Sequence, residues 1–235
     1  MLRAFKDFAR EMLKGIDVGV TKYSYLQKLE AGRRAGDNIE LLLELPEQHA
    51  AQLLRALPNS RSQYRQDLFV LSVLDFKRNG FFVEFGATNG VDLSNTYLLE
   101  KQFGWHGILA EPSRHWHADL RRNRTSSIET DCVWRDSNAA LIFNELGALS
   151  TINSFSSSDF HGKERAHGTK YSVKTISLED LLAKHNAPKE IDYLSIDTEG
   201  SEYEILSASN FNKYRFTTIA VNTASLRSGR TYSIC

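Results

Sequence analysis

Phe81 to Tyr97 reads FFVEFGATNGVDLSNTY, an apolar run that ends on an acid, a glycine-punctuated turn, and the opening of a helix. Phe81, Phe82, Val83 and Phe85 have the length and continuity of a strand buried on both faces, as in a parallel sheet. Glu84 stands near the carboxyl end of that strand. Gly86 and Gly90 bracket Ala87, Thr88 and Asn89, and so little side-chain bulk lets a ligand approach the backbone. Ser94 or Asn95 then caps a helix expected to run to Phe103 and to stop at Gly104. Ligands of open α/β sheets sit outside the carboxyl ends of strands, which makes this turn the expected cofactor site.

Working outward, the chain alternates as a doubly wound domain does. Ser60 and Gln63 read as a capping box for a helix through Lys77, ended by Asn79 and Gly80, that feeds the central strand. After the glycine turn come a strand Gly107 to Glu111, a helix Ser113 to Asn123, and a third strand Ser127 to Val133 around Asp131 and Cys132. Ala139 to Phe143 is a candidate additional strand. Leu149 to Lys170, rich in Ser, Gly and His, reads as a long surface loop, and loops of that length inside a domain are usually functional or disordered. Tyr171 to Ile176 alternates like a strand, Ser177 caps a helix through His185, Ile191 to Asp197 is a fourth core strand, a helix opens at Ser201 or Glu202, and Thr217 to Val221 is a fifth strand.

Composition sets the outer bounds. The 235 residues carry 29 basic and 29 acidic side chains, with 41% apolar and 11% aromatic residues, the profile of a soluble globular chain. Zero formal net charge supplies no global field for a nucleic acid, so none is expected as a partner. No uncharged apolar run approaches the ~18 residues of a membrane span. The N-terminus, MLRAFKDFAREMLK, places Leu2, Phe5, Phe8, Met12 and Leu13 on one helical face with charges between, unlike a signal peptide, and a cytoplasmic protein is expected. Cys132 and Cys235 form no ligand-spaced pair, which argues against a disulfide framework or a zinc site; no metal is expected. Residues 1–60 read as a helical extension, with helices near Leu2 to Lys14, Tyr23 to Arg33 and Pro46 to Leu57, serving as a cap or an oligomerisation arm or, less simply, as a substrate-selecting lid. Residues 61–221 form the main domain, and 222–235 an irregular tail.

The acids that end the strands carry the chemistry. Glu111 lies twenty-one residues beyond Gly90, where a carboxylate accepts both hydroxyls of a ribose. A dinucleotide pyrophosphate asks for G-x-G-x-x-G and a helix N-terminus; here the spacing is G-x-x-x-G, with Glu84 two residues before the first glycine. A carboxylate there repels pyrophosphate but suits the ammonium and sulfonium of S-adenosyl-L-methionine. Carboxylates at Glu84, Glu111, Asp131 and Asp197 together favour a methyl donor over NAD.

Ser62 to Val70 (SQ-x-x-QDLFV), Val83 to Gly90 (VEFGATNG), Leu109 to Ser113 (LAEPS) and above all Ile191 to Leu206 (IDYLSIDTEGSEYEIL) make the stretch from Ser62 to Val221 resemble an FkbM-type methyltransferase. The resemblance implies a Rossmann-like class I methyltransferase fold with a mostly parallel central sheet. It also implies S-adenosylmethionine-dependent methylation, commonly of hydroxyl oxygens on sugars or natural products, so the expected partner is a small-molecule or glycan acceptor. By position it puts Glu84, Gly86 and Gly90, with the intervening Ala87, Thr88 and Asn89, around the methionine part of the donor. It puts Glu111 on the ribose, Asp131 or Cys132 beside the adenine, and Asp197 and Glu199 where donor and acceptor meet. A sugar hydroxyl is a poor nucleophile near neutrality and calls for a base: Asp197 first, Glu199 second, His161 or His167 third.

Each residue has a plainer reading. Glu84 can cap the following helix, Asp197 can cap the helix at Glu202, and Glu199 and Glu202 can be first-turn acids favoured by the helix dipole. His115, His117, His161 and His167 can be exposed histidines without a role, and Cys132 a small buried apolar residue. Arg114, Arg121, Arg122 and Arg124 read as a solvated helix face or, less simply, as a site for a phosphate-bearing substrate. The C-terminal end departs from the family pattern: where a Val-Glu-His run is expected the chain reads Val221-Asn222-Thr223, as if one nucleotide were lost, which predicts a truncated sheet with the fifth strand as an exposed edge. A catalytically impaired cofactor-binding or assembly protein is therefore one alternative, and an NAD-dependent oxidoreductase a weaker one. A homo-oligomer is compatible with all of them.

Overall fold

A computed structural model describes residues 35–157 and 161–222, together with the backbone of 232–234. The chain falls into two units, Met1–Glu47 and Gln48–Cys235. Within the first, residues 35–44 are helical. The helices expected near Leu2 to Lys14 and Tyr23 to Arg33 lie outside the described residues.

The second unit is built on two sheets. Its larger sheet has β1 (Phe81–Phe85) at the centre, β2 (His106–Ala110) and β3 (Ser127–Glu129) on one side, and β8 (Glu190–Ile196), β9 (Arg215–Val221) and β10 (Tyr232–Ile234) on the other, in the order β10-β9-β8-β1-β2-β3. All of these but β10 are parallel. The architecture is α/β with a mostly parallel central sheet, compatible with a Rossmann-like methyltransferase fold. Because the chain winds outward from β1 through β2 and β3 and then returns to β8, strand order reverses between β1 and β8. Such a switch point opens a crevice beyond the strands' carboxyl ends. Val83, Phe85, Ile108, Leu194 and Ile196 from three adjacent strands form one buried cluster, which is why these strands read as apolar runs rather than alternating ones.

Before β1, α1 (Ala50–Ala56) packs with α2 (Gln66–Val73) through His49, whose ring nitrogen bonds Ser72 Oγ at 2.9 Å. α2 neither starts at Ser60 nor reaches Lys77. Ser60 Oγ donates to Asp67 at 2.7 Å, Ser62 Oγ accepts the Gln66 amide at 2.9 Å, and Asp75, Phe76 and Asn79 take left-handed backbone angles that end the helix four residues early. After the glycine turn, α3 (Tyr97–Phe103) has Thr96 rather than Ser94 or Asn95 at its N-cap, although Ser94 Oγ accepts the Tyr97 amide at 3.1 Å, and it closes on Gly104 at φ +71°, as expected. α4 (His117–Asn123) begins four residues later than Ser113, which is spent in a turn.

The second sheet was not foreseen. The expected third strand is two strands: β3 stays in the parallel sheet, while β4 (Cys132–Val133) joins a four-stranded sheet of order β4-β7-β5-β6. Glu129 causes the break, since its carboxylate accepts the amides of Thr130 and Asp131 at 2.9 and 3.0 Å and turns the chain out of the first sheet. β5 (Ala140–Glu145), β6 (Thr151–Ile152) and β7 (Thr169–Ile176) complete it, with β5 antiparallel to both neighbours. The expected surface loop Leu149 to Lys170 is thus partly regular, holding β6 and the short α5 (Gly162–Arg165). α6 (Leu178–Lys184), capped by Ser177 Oγ, and α7 (Glu202–Ala208) lead to β8 and follow it. The tail expected to be irregular contains β10 (Tyr232–Ile234), which pairs antiparallel with β9, so β9 is not the bare edge foreseen.

Candidate active site

One cleft of about 200 Å³ opens at the switch point, far above the ~10–15 Å³ that one water needs by the same measure. Glu84 near the end of β1, Gly86 just after it, Thr88 in the turn, Glu111 after β2, Cys132 on β4, and Asp197 and Glu199 after β8 all line it. The strand-end acids therefore converge. Ala87, Asn89, Gly90 and Asp131 do not reach its wall, and neither does His167, whereas His161 does.

The glycine turn is shaped more by the chain than by an open approach. Gly86 has φ +79°, and a Cβ there would stand 2.0 Å from the Asp197 carbonyl, so glycine is what lets the chain leaving β1 lie against the chain leaving its parallel neighbour β8. A Cβ on Gly90, at φ +78°, would meet Arg124 and Leu120. Ala87 is buried, and Asn89 folds the turn by accepting the Val91 and Asp92 amides at 2.9 Å. These three residues form the turn; Gly86 and Thr88 face the cleft.

Glu84 is 2% exposed and is held by the loop before α3: it accepts from the Asn95 amide at 2.7 Å, from Ser94 Oγ and from Thr96 Oγ1. Arg124 lies 3.7 Å away. Far from belonging to a solvated face, the Arg124 side chain is buried. It donates to Glu100 at 3.0 Å, the Gly90 carbonyl at 3.0 Å, Ser94 Oγ at 3.1 Å and Thr96 Oγ1 at 2.8 Å. Arg114, Arg121 and Arg122 are exposed as expected. Burial works against charge on Glu100, but Arg124, Ser126 and the Thr125 amide outweigh it and hold that carboxyl down at about 2.

Glu111 spans two loops, accepting the Thr88 amide and the Ser113 amide at 2.8 Å each. Each carboxylate oxygen has a second lone pair for a further donor. Burial pushes its pKa up to about 7 against the pull of those two amides, with Glu145 and Glu84 adding to the rise. Asp197 follows the last residue of β8. Its Oδ2 accepts from Asn222 Nδ2 at 3.1 Å, and burial, then the nearby charges of Glu199, Glu202 and Glu84, raise it to about 7 against that bond. Glu202 holds the turn between Asp197 and α7, accepting the Thr198 amide at 3.1 Å and the Gly200 amide at 3.0 Å. Glu199, at φ +59°, is paired through Oε2 with Arg165 at 2.7 Å.

Cys132, Val133, Phe143, Leu149 and Ile152 give the cleft an apolar side wall supplied by the second sheet and its connections. Burial pushes the Cys132 thiol up to about 12, so it serves as an apolar surface there. Asp131 turns away toward Lys174, 4.0 Å off. Glu129, Arg124 and Arg165 escaped the sequence reading because nothing local marks a charged residue as buried. The one hint for Arg124 was its place at the end of a helix facing the glycine turn.

Among the described residues the lining holds five carboxylates, Glu84, Asp92, Glu111, Asp197 and Glu199, and no Lys or Arg. A pyrophosphate would meet no cationic partner in such a wall. A cationic ligand with ribose hydroxyls and a flat apolar ring would meet acids at one end and hydrocarbon at the other. S-adenosylmethionine fits that donor set. Among the described residues no group of three or more His, Cys, Asp or Glu side chains is placed to hold a metal ion, and no helix is long and apolar enough to cross a membrane. No curated protein and no solved structure matches the chain. The family model described as the methyltransferase FkbM domain matches residues 84–228, more than half of the sequence, and runs past Asn222, where the departure from the family pattern was expected. Its first matched residue is Glu84, the acid that ends the central strand, and its span takes in Glu111 and Asp197 as well; the chain belongs to the FkbM methyltransferase family.

Proposed function

We propose that the protein moves a methyl group from S-adenosylmethionine to a hydroxyl oxygen of a small molecule, a sugar or a natural product. The observation that carries this reading is the cleft in which Glu84, Glu111 and Asp197 meet at the switch point of the sheet, with no Lys or Arg among the described residues that line it. When bound, the donor supplies an electrophilic methyl carbon on a positively charged sulfur. Glu111 would accept the ribose hydroxyls on the lone pairs left free by Thr88 and Ser113. Glu84 and the Gly86–Thr88 backbone would border the methionine part, and Cys132, Val133 and Ile152 would cover the adenine. Asp197, with its carboxyl near 7, would take the acceptor's proton as the new carbon–oxygen bond forms. Alignment of the two reactants supplies most of the acceleration, because an in-line displacement needs little covalent help.

Isothermal titration with S-adenosylhomocysteine and, separately, with NAD tests the cofactor. The reading expects the first to bind and the second not to; NAD binding alone overturns it. With an acceptor in hand, Asp197→Asn should lower kcat by at least ~100-fold, the lower end of general-base contributions, while leaving S-adenosylhomocysteine bound. Unchanged turnover would remove Asp197 from the mechanism.

A further inference from the structure

Arg165 heads the fully buried side chains by size and lies in a stretch whose sequence reads as surface loop. Beyond its own helix its guanidinium is anchored to Glu199 Oε2 at 2.7 Å and to the Leu149 carbonyl at 2.7 Å. Leu149 belongs to the strap Gly147–Ile152, of which Gly147, Ala148, Leu149, Ser150 and Ile152 wall the cleft. The same strap reaches Glu199 a second time, through Thr151 Oγ1, which donates to the Glu199 carbonyl at 2.9 Å. Just beyond the strap, Phe155 lies against Gly200, where a Cβ would come within 3.0 Å of it. Arg165 itself is fixed from behind, its carbonyl accepting from Asn144 Nδ2 on β5 at 2.9 Å and from the Gly168 amide at 3.1 Å.

We propose that Arg165 and Glu199 form a latch that holds the strap Gly147–Ile152 across the donor cleft, so that Arg165 is a positioning residue and Glu199 is its partner rather than the proton acceptor. The assignment rests on reading the cleft as the donor site. A guanidinium taken wholly out of water requires a carboxylate beside it, and removing either member strands a buried charge. The pair joins two segments that belong to different sheets, since Glu199 follows β8 and Leu149 precedes β6. Breaking it frees the wall of the cleft without touching Glu84 or Glu111.

The test combines S-adenosylhomocysteine dissociation, followed by stopped flow, with amide hydrogen exchange on Arg165→Met, Glu199→Gln and the double variant. The latch expects each single change to speed dissociation about tenfold and the double to be no faster than the faster single, the signature of two groups acting through one contact. It also expects the amides of 147–152 to exchange faster in the ligand-free protein while those of β8 keep their protection. Additive effects, unchanged dissociation in Glu199→Gln, or loss of protection spreading into β8 would overturn it. Should Arg165→Met fail to fold, Arg165→Lys, which keeps the charge but not the fork to both Leu149 and Glu199, takes its place with the same expectations. A wild-type chain that binds no S-adenosylhomocysteine would defeat the proposed function instead, and exchange over 147–152 would still decide the latch.

Discussion

In the proposed reaction Asp197 and Glu111 act as carboxylates, the one taking a proton and the other accepting both ribose hydroxyls beside a cationic donor, yet burial holds both near 7. Near neutrality each is therefore partly protonated. Affinity for a donor bearing ammonium and sulfonium charges should rise with pH through about 7, and turnover should rise with it as Asp197 becomes able to accept a proton. Titrating S-adenosylmethionine binding between pH 5.5 and 8.5, on the order of two units around that midpoint, checks this; a flat profile would place neither acid against the donor. Stability should run the other way. An acid whose folded pKa is raised binds more protons folded than unfolded, so its contribution is whole below the unfolded value and is lost as pH climbs through the folded one. For Asp197 that window runs from 3.8 to about 7, and for Glu111 from 4.5 to about 7. Glu100 is the opposite case: its contribution is whole above 4.5 and is lost as pH falls toward about 2. Urea melts at a series of pH values should accordingly show a maximum on the acid side of neutrality and a decline toward pH 7.

The turn after β1 shows what local sequence can and cannot announce. The apolar run Phe81–Phe85, the glycine spacing, and the stop at Gly104 are all set within a few residues, and strand, turn and α3 were legible from them. The neighbours of that turn were not. Arg124 reads as one of four arginines on a helix, and only the fold reveals that it is the buried tie between the Gly90 carbonyl, Ser94, Thr96 and Glu100. Glu129, which pairs with Lys184 and His185, and Arg165 inside a polar stretch, which pairs with Glu199, likewise have partners far away in sequence, while α2 ends at Val73 on left-handed backbone angles at Asp75 and Phe76 that neither residue type announces. Of the nominated site residues, Glu84, Gly86, Thr88, Glu111, Cys132, Asp197 and Glu199 line the cleft because strand ends are local signals, while Asp131 turns out because its orientation depends on the break between β3 and β4. Two substitutions probe this element. Gly86→Ala should destabilise the protein by more than ~2 kcal/mol, since a left-handed backbone angle alone costs ~1–2 kcal/mol and the Cβ would also overlap the Asp197 carbonyl. Arg124→Met should cost ~3–5 kcal/mol by leaving Glu100 and Glu84 without their buried cation. Denaturant unfolding measures both, and a loss under ~1 kcal/mol for Arg124→Met would mean that neither acid depends on it.

At the scale of the molecule, the cleft takes its acids from the six-stranded sheet and its apolar wall from the four-stranded one, so neither sheet makes the site by itself. Glu84, Glu111 and Asp197 stand at the ends of β1, β2 and β8, whereas Cys132, Phe143 and Ile152 stand on β4, β5 and β6. The crossings between the sheets are short or bonded: residues 130 and 131 alone separate β3 from β4, and Arg165 with Thr151 ties the strap to the turn after β8. A ligand that contacts both walls binds only the state in which both sheets are folded and stabilises that state by mass action. S-adenosylhomocysteine at 100 times its dissociation constant should add ~2.7 kcal/mol. For a chain of this size a shift of ~2–4 °C per kcal/mol follows, which places the rise in Tm at ~5–11 °C. Calorimetric scans should show that rise in a single transition for the body formed by the two sheets, and no rise with NAD at the same concentration. Two resolved transitions within that body, with the ligand moving one of them, would mean that the sheets unfold independently and that the donor rests on one wall.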